Sequence, residues 1–180
     1  DIMRVTIKGK FYRKGSFAKY HGQIRQMEEV GSESGFKGLK MHYIAYRTQM
    51  LRDIRYFQPE GVLYTDDVWC FTPMQAVQTI EFLDKTIYCY RMGRDGQSMD
   101  RYVMRKNAKH YLKIAHHKLD IWEQVKDQLS RGASDFMEDQ LIFNVGHTLT
   151  FGIMYSSLPH EDMQALDDRM KALCPDIYDD

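Results

Sequence analysis

The chain is poor in the features that settle function quickly. Its 180 residues include three cysteines, Cys70, Cys89 and Cys174. An odd number at wide spacing argues against a disulfide scaffold and suits reduced thiols in a cytoplasmic protein. No C-x-x-C or comparable metal spacing occurs. No apolar run approaches the roughly 20 residues of a membrane span, and no secretory signal pattern is visible. Net charge is lacking too: Lys+Arg and Asp+Glu both number 25, which argues against a nucleic-acid binder with its basic footprint. Internal repeats and low-complexity segments are absent.

What is present is apolar material, 43% hydrophobic and 13% aromatic. That suffices for one domain with a real core, or one domain with a helical appendage. The 12 Tyr and 12 Met suit an irregular core. Residues 3–13 alternate loosely and read as a strand broken at Gly9. Residues 14–38 are polar and glycine-rich, and the segment EVGSESGFKG (29–38) reads as a mobile loop. KMHYIAYR reads as a short strand, and TQMLRDI as two helical turns that Thr48 caps. PEGVLYTDD enters a helix carrying Trp69, Met74, Val77 and Ile80, with Pro73 near its start. Residues 80–92 read as a strand pair or bent strand, and GRDGQS as a loop. From 100 to 129, Leu112, Ala115, Leu119, Trp122, Val125 and Leu129 form a helical stripe that Gly132 ends. Further helices are expected over 134–155, despite Gly146 and Gly152, and around Met163, Leu166, Met170 and Leu173. The composition shift near residue 98 divides a mixed α/β part, 1–98, from a helical part, 99–180.

Two constellations carry chemistry. Asp66 and Asp67 are adjacent carboxylates at the start of a helix, before an apolar and aromatic run. One reading is a helix cap, favoured by the dipole. The other is a general base held ready for a bound hydroxyl. Both hold if one aspartate caps and the other faces a cleft. Arg91, Arg94, Gln97 and Ser98 flank a glycine-rich loop and suit a diphosphate, because guanidinium offers a rigid fork of donors. A solvated turn pairing the arginines with Asp84 or Asp95 is the plain alternative. His110, His116 and His117 diverge around their helix and make a poor metal set. His42 reads as a satisfied strand histidine.

EGVLYTDDVWCFTPM, preceded by MHYIAYRTQML and followed by DKTIYCYRMGRDGQSMD, resembles three ordered segments of bacterial family 2 glycosyltransferases. The resemblance covers about residues 40–100. It implies a partial GT-A-like mixed sheet with flanking helices, followed by a helical C-terminal region. The implied activity is inverting transfer of a sugar from a nucleotide-sugar donor to a glycan acceptor hydroxyl, in cell-surface polysaccharide or glycan synthesis. Asp66 inherits the base role. Asp67 becomes its neighbour, partnered by the helix start. Tyr64 and Trp69 offer a stacking face for a sugar. Arg91, Arg94, Gln97 and Ser98 contact the donor diphosphate or acceptor.

The family's nucleotide-binding half is not in these residues, and its Asp-x-Asp motif occurs nowhere in them. The chain is therefore expected to be the C-terminal, acceptor-side portion of a longer enzyme, inactive alone. On this expectation the Mg or Mn ion comes with the donor in the intact enzyme, and the fragment itself holds no cofactor. The implied protein is cytoplasmic, at most peripheral to the inner face of the membrane, with homodimer formation allowed. The rival reading is a non-catalytic α/β binding or protein-interaction module, its acidic loop a helix cap.

Overall fold

The computed structural model describes residues 2–5, 18–33, 39–83, 88, 100–155 and 157–178. Four short strands form one mixed sheet: β1 (Ile2–Val5), β2 (Ile24–Gln26), β3 (Ile44–Tyr46) and β4 (Thr79–Leu83), in the order β2-β4-β1-β3. β1 runs parallel to β4, with Ile2 opposite Ile80, and antiparallel to β3. β2 closes the other edge antiparallel to β4. Along β4 the side chains alternate as a pleat requires: Ile80 and Phe82 are buried, Glu81 exposed.

The first part also carries α1 (Met27–Val30), α2 (Thr48–Asp53) and α3 (Asp66–Phe71). Among its described residues the second carries helices and no strand: α4 (Arg101–Lys106), α5 (Ala108–Val125), α6 (Arg131–Tyr155) and α7 (His160–Leu173). The α/β character and the helical C-terminal region agree with the sequence reading. One apolar core spans both parts, from Met27, Phe71, Ile80 and Phe82 to Leu119, Phe136, Leu141 and Leu166. Arg169 ties α7 to α5 through Asp120 at 2.6 Å and Glu123 at 3.2 Å. Among the described residues no helix is long and apolar enough to cross a membrane.

Several local expectations change. Ahead of the expected loop, Ala18–Tyr20 form a tight turn and Ile24–Gln26 form β2, while Glu29 and Val30, at the start of the segment read as loop, belong to α1. Thr48 is the first residue of α2, and no side chain caps that helix. α3 ends at Phe71; Pro73, which lacks an N–H, sits in a 3-10 turn, Thr72–Ala76, and Ile80 belongs to β4. The helix expected over 100–129 is two. Asp100 caps α4 by accepting from the amides of Tyr102 and Val103. Asn107 then breaks the run, its side-chain amide donating to the Val103 carbonyl at 2.8 Å. Gly132 terminates nothing: it lies in the first turn of α6, against α1.

Candidate functional site

The acidic pair sits where a loop becomes α3. The loop is tightly held. The Gln58 amide donates to the Thr65 carbonyl at 2.7 Å, and the Leu63 N–H donates to His110 Nδ1 of α5 at 3.0 Å. Tyr64 takes a left-handed φ of 65°, a conformation that costs a non-glycine residue about 1–2 kcal/mol. Its ring lies on Tyr111 of α5, centroids 3.8 Å apart, and the two side chains are hydrogen-bonded. That contact repays the strain and turns the chain into α3.

The two aspartates then diverge. Asp67 Oδ2 accepts from Asn144 Nδ2 of α6 at 3.1 Å. Its partner is thus a side chain across the core, not the start of its own helix as expected. Thr65 flanks α3 and makes no side-chain cap. Asp66 is half-buried, and its proton affinity is raised, first by burial and then by the Asp67 charge. Its own backbone amide, Lys40 and His42 pull the other way. The helix dipole was expected to favour the anion; desolvation outweighs it here.

Lys118 of α5 packs against Phe71, the last residue of α3, and is only 1% exposed. Its Nζ lies 4.8 Å from the Phe71 ring centroid and donates to the Gln140 carbonyl at 3.4 Å. Burial pulls it down to about 8, while Asp67 is the largest influence raising it. Cys70 is pushed up to about 12 by burial and then by the two aspartate charges, so its thiol stays protonated and inert. Asn144 is buried as well, and its Oδ1 has no hydrogen-bond partner.

The Lys118 shift has a stability consequence. Between pH 8 and 10.5 the unfolded chain binds a proton at this lysine that the native chain has released, so native stability rises with pH. Below pH 8 the full burial cost remains. Relative to Lys118→Met, wild type is expected to gain about 3 kcal/mol across that window, from about 1.4 kcal/mol per pH unit. Urea unfolding of both proteins at several pH values reads it; a pH-independent difference refutes it.

The other predicted residues fare unevenly. The Tyr64 ring face expected for a sugar is taken by Tyr111. Trp69 packs edge-on with Tyr46 and Tyr56. Arg91, Arg94, Gln97, Ser98 and Cys89 lie outside the described residues. His42 stacks on Tyr88, centroids 4.5 Å apart. A groove of about 400 Å³, lined by Met27, Glu28, Gln75, Val77, Gln128 and Ser130 among others, contains neither aspartate. Lys118 and Asn144 were not singled out from sequence. Both lie on helix faces that are buried only once α5 and α6 pack, which residue type and spacing along the chain do not reveal.

No protein-family model, curated protein or solved structure matches the chain.

Proposed function

We propose that the chain is the acceptor-side, C-terminal part of an inverting glycosyltransferase with a GT-A-like sheet, in which Asp66 is the general base. One observation carries this beyond the resemblance of residues 40–100. Of two adjacent carboxylates, Asp67 is engaged by Asn144, while Asp66 sits at the loop edge with raised proton affinity and with the Lys40 ammonium and the His42 ring nearby. A carboxylate with raised affinity takes a proton more readily than an ordinary one. In the reaction, the acceptor oxygen bonds to the anomeric carbon as its proton passes to Asp66. The bond from that carbon to the diphosphate breaks, and the electron pair leaves with the nucleoside diphosphate. Attack opposite the leaving group inverts the centre.

The Mg or Mn ion that such donors bring finds no ligand set among the described residues. On this reading its ligands belong to an upstream, nucleotide-binding segment, and the enzyme works at the cytoplasmic side of the membrane. The test is nucleoside diphosphate release by the full-length chain from a panel of nucleotide sugars and glycan acceptors. Acceptor-dependent release is expected; none with any donor refutes the activity.

A second reading, a non-catalytic interaction module, has one observation in its favour. α6 exposes Ile142, Phe143, Ile153 and Met154, an apolar surface suited to a partner. That reading predicts no turnover and no dependence on Asp66.

A further inference from the structure

Residues 141–155 of α6 contain no Asp, Glu, Lys or Arg. Their inner side, with Leu141, Val145, Thr148 and Phe151, is buried in this chain. The outer side is apolar as well: Ile142, Phe143, Ile153 and Met154 are between 42% and 69% exposed. α5 differs, because its exposed positions include Lys109, Lys113, Asp120 and Glu123. A helix apolar on every side is ordinarily a buried one, so the outer face of α6 calls for a cover. The stripe also has a symmetry of its own. Ile142, Phe143, Gly146, Thr150, Ile153 and Met154 fall on about a third of the helix circumference. Each has a mate equally far from residue 148: Ile142 with Met154, Phe143 with Ile153, Gly146 with Thr150. Bulk stands at both ends and small residues stand in the middle. A Cβ on Gly146 meets nothing within 4 Å, so the middle is open outward.

We propose that α6 pairs antiparallel with α6 of a second copy, about a two-fold axis level with residue 148. A two-fold interface must complement itself, and this stripe does so in the antiparallel sense. Large apolar side chains meet at each end, while Gly146 meets Thr150 and lets the helices come close. A parallel pairing would set Asp135, Glu138 and Asp139 against their own copies and align the two helix dipoles. Lys40 Nζ lies 6.0 Å from the Phe143 ring centroid, at one end of the stripe. In the antiparallel pair the two Phe143 rings stand as far apart as positions 143 and 153, about 15 Å along the axis. That exceeds the screening length of about 8 Å at physiological salt, so the two ammonium groups do not oppose pairing. The four large side chains offer apolar area on the order of 500 Å² per copy, within the range of patches that mark interaction sites. A standard interface buries about 800 Å² per partner, so this dimer is reversible and concentration-dependent. The pairing deepens the interaction reading of this face and is independent of sugar transfer.

Sedimentation equilibrium of the full-length protein tests it. Wild type is expected to dimerise reversibly at concentrations up to about 100 μM. Gly146→Gln places a good helix former in open space, so it should melt no lower than wild type. It also wedges the paired helices apart, and should sediment as a monomer. Ile142→Lys and Met154→Glu should each weaken the dimer about tenfold or more, since each buries a charge. An equimolar mixture of those two should regain it, because antiparallel pairing sets residue 142 of one copy against 154 of the other. A wild-type monomer at about 100 μM overturns the proposal. It would mean that something else covers the face, such as the upstream segment of the proposed transferase. A dimer that none of the variants weakens lies on another face and overturns it too, as does a mixture that stays monomeric. Nucleoside diphosphate release is no part of this readout, so failure of the transferase reading leaves the result intact.

Discussion

Asp66→Asn in the full-length protein is expected to lower kcat by about 100-fold or more, the scale of losing a positioned acid or base. Asn matches the shape of Asp but takes no proton at neutral pH, so donor binding stays near normal while the chemical step fails. Stability is expected to move the opposite way. The fold raises the proton affinity of Asp66, so folding disfavours its anion. That cost is present above the raised value and relieved as pH falls through it. A neutral Asn escapes it, and Asp66→Asn should melt at or above the wild-type temperature at pH 7. Loss of turnover with retained or increased stability marks a group kept for chemistry at the expense of the fold. Asp67→Asn should show the reverse pattern. Asp67 is the largest influence raising the proton affinity of buried Lys118, so removing its charge strands an ammonium in the core and lowers the melting temperature. Near-normal turnover in Asp66→Asn removes the base assignment, and equal turnover losses in both variants remove the division of roles.

How much of this was legible in the sequence depends on the length scale of the signal. α7 follows from Met163, Leu166, Met170 and Leu173, because three-four spacing is a local property of the chain. The start of α3 is legible for the same reason: Asp66 and Asp67 fall in its first turn, as dipole and composition suggest. The partners of that turn are not local. Asn144 is 77 residues from Asp67, and no rule of spacing joins them. Lys118 hid differently. A stripe drawn through Leu112, Ala115, Leu119, Trp122 and Val125 is rotated from the face that is buried, Tyr111, Ile114, Ala115, Lys118, Leu119 and Trp122. A lysine at such a position looks like surface until a second helix covers it. The break at Asn107 was missed because the apolar period runs through it unchanged. α4 ends where Asn107 leaves helical backbone geometry, at φ −109° and ψ 24°, with its side-chain amide on the Val103 carbonyl, a local event that periodicity does not see.

Two glycines of α6 carry the second large prediction, since one rule of thumb would treat them alike. Glycine weakens a helix interior by about 1 kcal/mol relative to alanine, so each is a candidate for stabilisation. Gly146 follows the rule. A Cβ there meets nothing within 4 Å, and Gly146→Ala is expected to stabilise by about 0.5–1 kcal/mol. Gly132 does not. A Cβ there falls 2.2 Å from the Met27 carbonyl oxygen and 2.8 Å from Glu28 Cα, both backbone atoms of α1. From the other side, a Cβ on Gly31 falls 2.0 Å from the Gly132 carbonyl oxygen. No rotamer relieves contacts of that kind, because the colliding atoms are main chain. The two segments meet backbone to backbone, and the Gly132 N–H donates to Glu28 Oε2 at 3.1 Å across the same contact. Gly132→Val therefore has to drive α1 from α6. Met27 and Val30 of α1 are fully buried in the shared core, so the separation reopens apolar surface as well as breaking the hydrogen bond. A loss of about 3 kcal/mol is expected, the upper end of overpacking costs. Gly132→Ala should lose less but still fall below wild type. Urea unfolding of the three variants ranks them, and an α6 that accepts valine at residue 132 without loss would mean that α1 does not pack where the structure has it.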